Sequence, residues 1–156
     1  MTKQEMTEKL AGMGLSLPEV AKAVGSYVPA VRSGSLVFVS GQLPSRDGRV
    51  QYTGMLGDNV TVEGGQQAAK LCALNALAAL ADAAGGIENV TRIVRLAVFV
   101  SCIPGFADQP KVANGASDLM QALFGENGRH ARVAVGVSAL PLDAAVEVEL
   151  WAECRA

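Results

Sequence analysis

Aromatic side chains make up only 4% of the 156 residues, with one tryptophan, two tyrosines and four phenylalanines. So few rings provide no series of platforms on which bases could stack. With 13 basic residues against 15 acidic ones and no basic run, the chain has no field to gather nucleic acid, so neither a nucleic-acid binder nor an endoribonuclease is favoured. Histidine is present once, as His130, so a Ser-His-Asp triad could be built only around that residue, and no serine sits in a nucleophile context. P-loop, HExxH, GxSxG and Gly-rich dinucleotide patterns are all missing. The three cysteines, Cys72, Cys102 and Cys154, are widely spaced in apolar surroundings, which points to reduced thiols and against a disulfide or a zinc site. Residues 1–10 mix charged and polar side chains where a secretory signal needs an apolar run, so a cytoplasmic protein is expected. The longest apolar stretch, around residues 71–84, is interrupted by Asn75 and Asp82 and is too short to span a bilayer, so no membrane association is expected.

What remains is half apolar, the composition of a protein with much surface to hide, and its length suits one domain with residues 1–20 as an N-terminal extension. A short helix over 2–12 and a helical turn at Pro18–Lys22 are expected, followed by a hairpin of Val28–Arg32 and Leu36–Ser40 turning at Ser33-Gly34-Ser35. Asp47-Gly48 supplies a turn before a short strand near Val50–Tyr52. Ala69, Cys72, Ala73, Ala76, Leu77, Leu80 and Ala84 recur at helical spacing, which predicts a helix over 61–84 stopped by Gly85-Gly86. Thr91–Val100 reads as a strand, and a second long helix opens at Asp108 and Pro110 and stops at Gly125. Two strands follow, around Arg132–Val137 and Ala145–Leu150, and read as an antiparallel pair that brings Arg132 to a carboxylate. The expected class is α+β, a mixed sheet of five to six strands with two long helices on one face. Its other face needs cover, which points to an oligomer.

Few residues offer chemistry. Arg132 enters a strand where burial is expected, and a buried guanidinium needs a bound anion or a structural partner such as Glu147 or Glu149. Glu147 could be a general base raised in pKa by partial burial, or an exposed strand residue. Tyr27, beside Gly25, could lid a pocket or only pack. Ser40 and Gly41 put a hydroxyl and open backbone at a strand end, where ligands often meet a sheet. Asn114 is an odd polar residue early in a helix, suited to a cap or to an interhelix bond. His130 reads either as a reacting group or as a loop residue flanking the arginine strand.

The ordered pieces Val24-Gly25-Ser26-Tyr27-Val28, Val37–Pro44, Val98-Phe99-Val100, His130-Ala131-Arg132 and Leu140–Glu149 resemble the reactive intermediate deaminases, the RidA/YjgF family. Arg132 precedes Leu140 by eight positions, as the family's arginine precedes its Leu-Pro. The resemblance implies a chorismate-mutase-like fold and a homotrimer with pockets between subunits. It also implies hydrolysis of enamines or imines such as 2-aminoacrylate to 2-keto acids and ammonia, without metal or cofactor. Arg132 would grip the carboxylate of a small metabolite and Glu147 would direct the water. Tyr27, Ser40 and the Gly41 backbone would line the pocket, with Asn114 as a further match. The same clefts would suit a non-catalytic carboxylate sensor. Val133-Ala134 stands where the family commonly has Ser-Cys, which marks a divergent subgroup.

Overall fold

A computed structural model describes residues 1–156, with helices α1 (Lys3–Gly12), α2 (Val62–Ala84) and α3 (Gln109–Phe124) and strands β1 (Ala30–Ser33), β2 (Leu36–Gln42), β3 (Ser45–Arg46), β4 (Arg49–Val50), β5 (Val90–Ser101), β6 (Ala131–Val137) and β7 (Val146–Cys154). Five strands form one mixed sheet in the order β1-β2-β7-β5-β6, and β3 and β4 make a separate ribbon. All neighbours in the main sheet are antiparallel except β5 and β6, which run parallel. The α+β class and five-stranded mixed sheet match the expectation, with α1 as a third helix.

Local signals explain α2 well. The Thr61 hydroxyl accepts from the Gly64 N–H at 3.0 Å, and Gly85 closes the helix in the left-handed region at φ 73°. All seven apolar positions that predict this helix are buried. Its many alanines allow close approach: a Cβ on Gly115 of α3 would lie 2.1 Å from the Gln66 carbonyl oxygen of α2. Gly115→Ala therefore forces two backbones apart and is expected to cost about 1–3 kcal/mol, read as a fall of several degrees in thermal midpoint. Gly12→Ala, whose Cβ meets nothing within 4 Å, is the control and should leave the midpoint in place.

The sheet's two faces differ. Val146, Val148, Leu150, Ala152 and Cys154 of β7 join the core with Leu96, Val98 and Val100 of β5 under the helices. On the other face lie Val31, Leu36, Phe38, Phe99, Trp151, Val133 and Val135, and Val31, Leu36, Val133 and Val135 are exposed. Phe38 meets Trp151 edge-on at 5.2 Å, and Arg95 covers the Trp151 ring at 4.8 Å while pairing with Glu149 at 3.3 Å. This open face leaves a broad apolar surface uncovered in the single chain.

Three expectations need correction. The strands bearing Arg132 and Glu147 are not partners, because β5 lies between them and runs parallel to β6. Their short connection carries a 3₁₀ turn at Pro141–Asp143, in which Leu142 and Asp143 take positive φ. Pro18–Lys22 forms no helix. The short strand near Val50 ends there, paired only with β3. The N-terminal extension packs on the domain: Met6 and Leu10 are 1% exposed within the main core and the Lys9 ammonium donates to the Leu123 carbonyl at 2.8 Å.

Candidate active site

The first cluster forms at an irregularity in β2. Between the pairs Val39–Leu150 and Gln42–Val148, two residues of β2, Ser40 and Gly41, oppose only Glu149, which makes a β-bulge. The bulge puts Gly41 under the Glu147 side chain so closely that a Cβ there would lie 2.1 Å from Glu147 Oε1. Only glycine leaves the carboxylate in place. Partial burial raises the Glu147 pKa, and the neighbouring Glu149 carboxylate adds to the rise. Glu147, Gly41 and Tyr27 line one cleft of about 1000 Å³. The Tyr27 hydroxyl accepts from the Val24 N–H at 3.2 Å. Ser40 does not line this cleft: its hydroxyl donates to the Val28 carbonyl at 2.7 Å and its N–H to the Pro29 carbonyl, tying the segment before β1 to the bulge.

The second cluster sits at the edge strand β6, against α3. Arg132 pairs in register with Leu96 and so projects from the helix-covered face, whereas Glu147 pairs with Phe99 on the open face. Within one chain the two cannot meet. Arg132 Nη1 donates to Asn114 Oδ1 at 2.8 Å and to Ser117 Oγ at 3.2 Å. No carboxylate pairs with it, for Glu149 is taken by Arg95. The structural ion pair with Glu147 or Glu149 is thus excluded in the single chain, and Nε and Nη2 stay free for a planar anion.

Sequence reasoning missed Ser117 and undervalued His130. His130 Nδ1 lies 2.6 Å from the Gly128 carbonyl, so this nitrogen carries the proton and Nε2 is left to accept the Ser117 hydroxyl at 2.9 Å. Burial lowers the His130 pKa, the Gly128 bond opposes this, and Arg132 adds to the lowering, so the neutral ring is favoured. Neutral His130 orients Ser117, whose oxygen is then free to accept from Arg132. The usable signal was the i, i+3 spacing of Asn114 and Ser117, two small polar residues on one side of α3. No group of three or more His, Cys, Asp or Glu side chains is placed to hold a metal ion, and no helix is long and apolar enough to cross a membrane.

A mixed sheet backed by helices, with a bulge-seated glutamate on one face and an unpaired arginine at the far edge, defines a small α+β domain of the chorismate-mutase-like kind. Residues 7–154 match the family described as "YjgF/chorismate mutase-like, putative endoribonuclease". The chain belongs to this YjgF family. It is 48% identical to protein TCP17 of Trypanosoma cruzi over 92% of this chain and 91% of that one. It is 33% identical to the 2-iminobutanoate/2-iminopropanoate deaminase of Salmonella typhimurium over 85% of this chain and 91% of that enzyme. Its structure is similar to that of the protein Atu1372 from Agrobacterium tumefaciens, with a TM-score of 0.92, 40% identity and coverage of 99% and 96% of the two chains.

Proposed function

We propose that the protein is a hydrolytic deaminase of enamine or imine derivatives of 2-keto acids, working at pockets between the subunits of a homotrimer. The observation that carries this reading is the pair of half-sites: an unpaired guanidinium with Asn114 and Ser117 on one face, and a half-buried Glu147 with raised pKa on the other. A second copy placed with its β6 edge over the open face would bring Arg132 towards the partner's glutamate and cover the exposed Val31, Leu36, Val133 and Val135. The relationship to the Salmonella deaminase supports the reaction class.

In this mechanism Arg132 holds the substrate carboxylate through its free N–H groups, with the iminium carbon facing Glu147. The Glu147 carboxylate takes a proton from water as its oxygen bonds to that carbon, giving a carbinolamine. The protonated Glu147 returns the proton to nitrogen and then takes the proton of the carbinolamine hydroxyl as the C–N bond breaks and the C=O forms, and ammonia leaves with that proton as ammonium, which restores the carboxylate. One water is consumed and no redox change occurs. Free imines already hydrolyse in water, so orientation and one proton relay supply much of what is needed.

The test generates the imine in situ with an amino-acid oxidase and follows keto-acid release against trapping by semicarbazide. Release is expected to be faster than in buffer, and no acceleration with any imine would overturn the proposal. Because burial and Glu149 raise the Glu147 pKa, the base is lost at a higher pH than the value of about 4.3 for an ordinary glutamate. Activity should therefore fall on the acid side with a midpoint above that value, and Glu149→Gln should shift this midpoint to lower pH. The fold favours protonated Glu147, so its contribution to stability is present at low pH and is lost as pH rises through the folded pKa.

A further inference from the structure

The cleft beside Glu147 is far larger than a three-carbon imine requires. Its volume is about 1000 Å³, at the upper end of the ~300–1,000 Å³ found for drug-sized ligands. Besides Gly41 and Glu147, two apolar walls line it. One is the segment preceding β1, which contributes Leu15, Pro18 and Val20; the other contains Leu43, Leu71 and Leu74.

Both walls are fixed. The segment before β1 is anchored behind by α1, whose Met6 and Leu10 lie in the core, and ahead by the Ser40 bonds to the Val28 and Pro29 carbonyls. Leu71 and Leu74 project from α2 and are only 7% and 5% exposed. Asn75, 2% exposed, braces the same wall by donating from Nδ2 to the Leu43 carbonyl at 3.0 Å and the Ser45 carbonyl at 2.9 Å. The charged groups on the cleft besides Glu147, namely Glu19, Lys22, Arg46 and Asp47, are all exposed and carry both signs. They provide no single-sign pocket for a second anion.

We propose that this cleft receives the side chain of the substrate, and that the enzyme acts on imines of amino acids with a bulky apolar side chain, of leucine, methionine or phenylalanine size. This rests on the deaminase reading of the same site. Adding apolar groups inside a matching pocket raises the specificity constant by about tenfold or more, because their transfer from water is realised in the transition-state complex.

The test compares imines generated by an oxidase from leucine and phenylalanine with the imine from alanine. The expected result is a kcat/KM at least about tenfold higher for the large substrates. Val20→Asp, which puts a charge on the apolar wall, should lower kcat/KM for the leucine- and phenylalanine-derived imines by at least about tenfold more than for the alanine-derived imine. Val24→Asp, at an exposed position on the same cleft, serves as a second variant if Val20→Asp fails to fold. Equal or better use of the alanine-derived imine overturns the substrate class but leaves the deaminase reading intact. If no imine is hydrolysed, the deaminase reading fails, and calorimetry with the product keto acids decides the pocket by itself. Tighter binding of 4-methyl-2-oxopentanoate and phenylpyruvate than of pyruvate supports it, and equal binding overturns it.

Discussion

Mixing equal amounts of Arg132→Ala and Glu147→Gln subunits, each inactive as a pure assembly, should restore about one quarter of the wild-type rate, because a pocket built across a cyclic interface draws its glutamate from one subunit and its arginine from the next. The statistics follow from random assembly. A pocket is intact when its glutamate comes from an Arg132→Ala subunit and its arginine from a Glu147→Gln subunit, each with a chance of one half. The mixture is made by co-refolding or co-expression, and rate and mass are measured on the same sample. A site contained in one subunit predicts no recovery, since every subunit then carries a defect. The expectation rests on register: Arg132 stands beside Leu96 on the helix-covered face and Glu147 beside Phe99 on the open face. The pure Arg132→Ala assembly should lose at least about a hundredfold in rate, the scale of a misplaced substrate.

How much of this was legible depended on the range of the interactions. The helix over 61–84 was readable because its periodicity, its Thr61 cap and its Gly85 stop are local, and the structure honours all three. The order of the last strands was not. Residues joined by a short Leu140-Pro141 connection invite a hairpin, yet β7 alternates buried and half-buried residues along its whole length because it is paired on both sides. β6 has exposed Ala131, Val133 and Val135 because it is an edge. Pro18–Lys22 looked helical by its proline, but this segment is placed by its ends, which local propensity does not report. The candidate residues fared in the same way. Gly41 and Glu147 were candidates from their strand positions and took roles from the resemblance, but their contact depends on a bulge opposite another strand. Ser117 went unnoticed because its role exists only once α3 lies against β6 and His130 turns towards it.

Gly41→Ala separates stability from function at that contact. The added methyl would sit 2.1 Å from Oε1, 2.8 Å from Cδ and 3.1 Å from Cγ of Glu147. All three belong to a flexible side chain, so the clash is relieved by turning the carboxylate away rather than by moving backbone. Gly41 does not take a positive φ, and alanine is therefore tolerated by the main chain. The thermal midpoint should change by no more than about 0.5 kcal/mol would produce, as for a substitution without a core defect. Activity should nevertheless fall by about a hundredfold, since a displacement of roughly 1 Å at a reacting group has an effect of that size. Glu147→Gln should fall at least as far, and the double variant should be no worse than Glu147→Gln alone, because both changes remove the same correctly placed base. Additive losses would mean that Gly41 acts through something other than Glu147, such as direct backbone contact with the substrate. An active Gly41→Ala enzyme would mean that the carboxylate does not work from the position it holds over the bulge. The double-variant cycle, with midpoint and rate measured on each of the four proteins, distinguishes these outcomes.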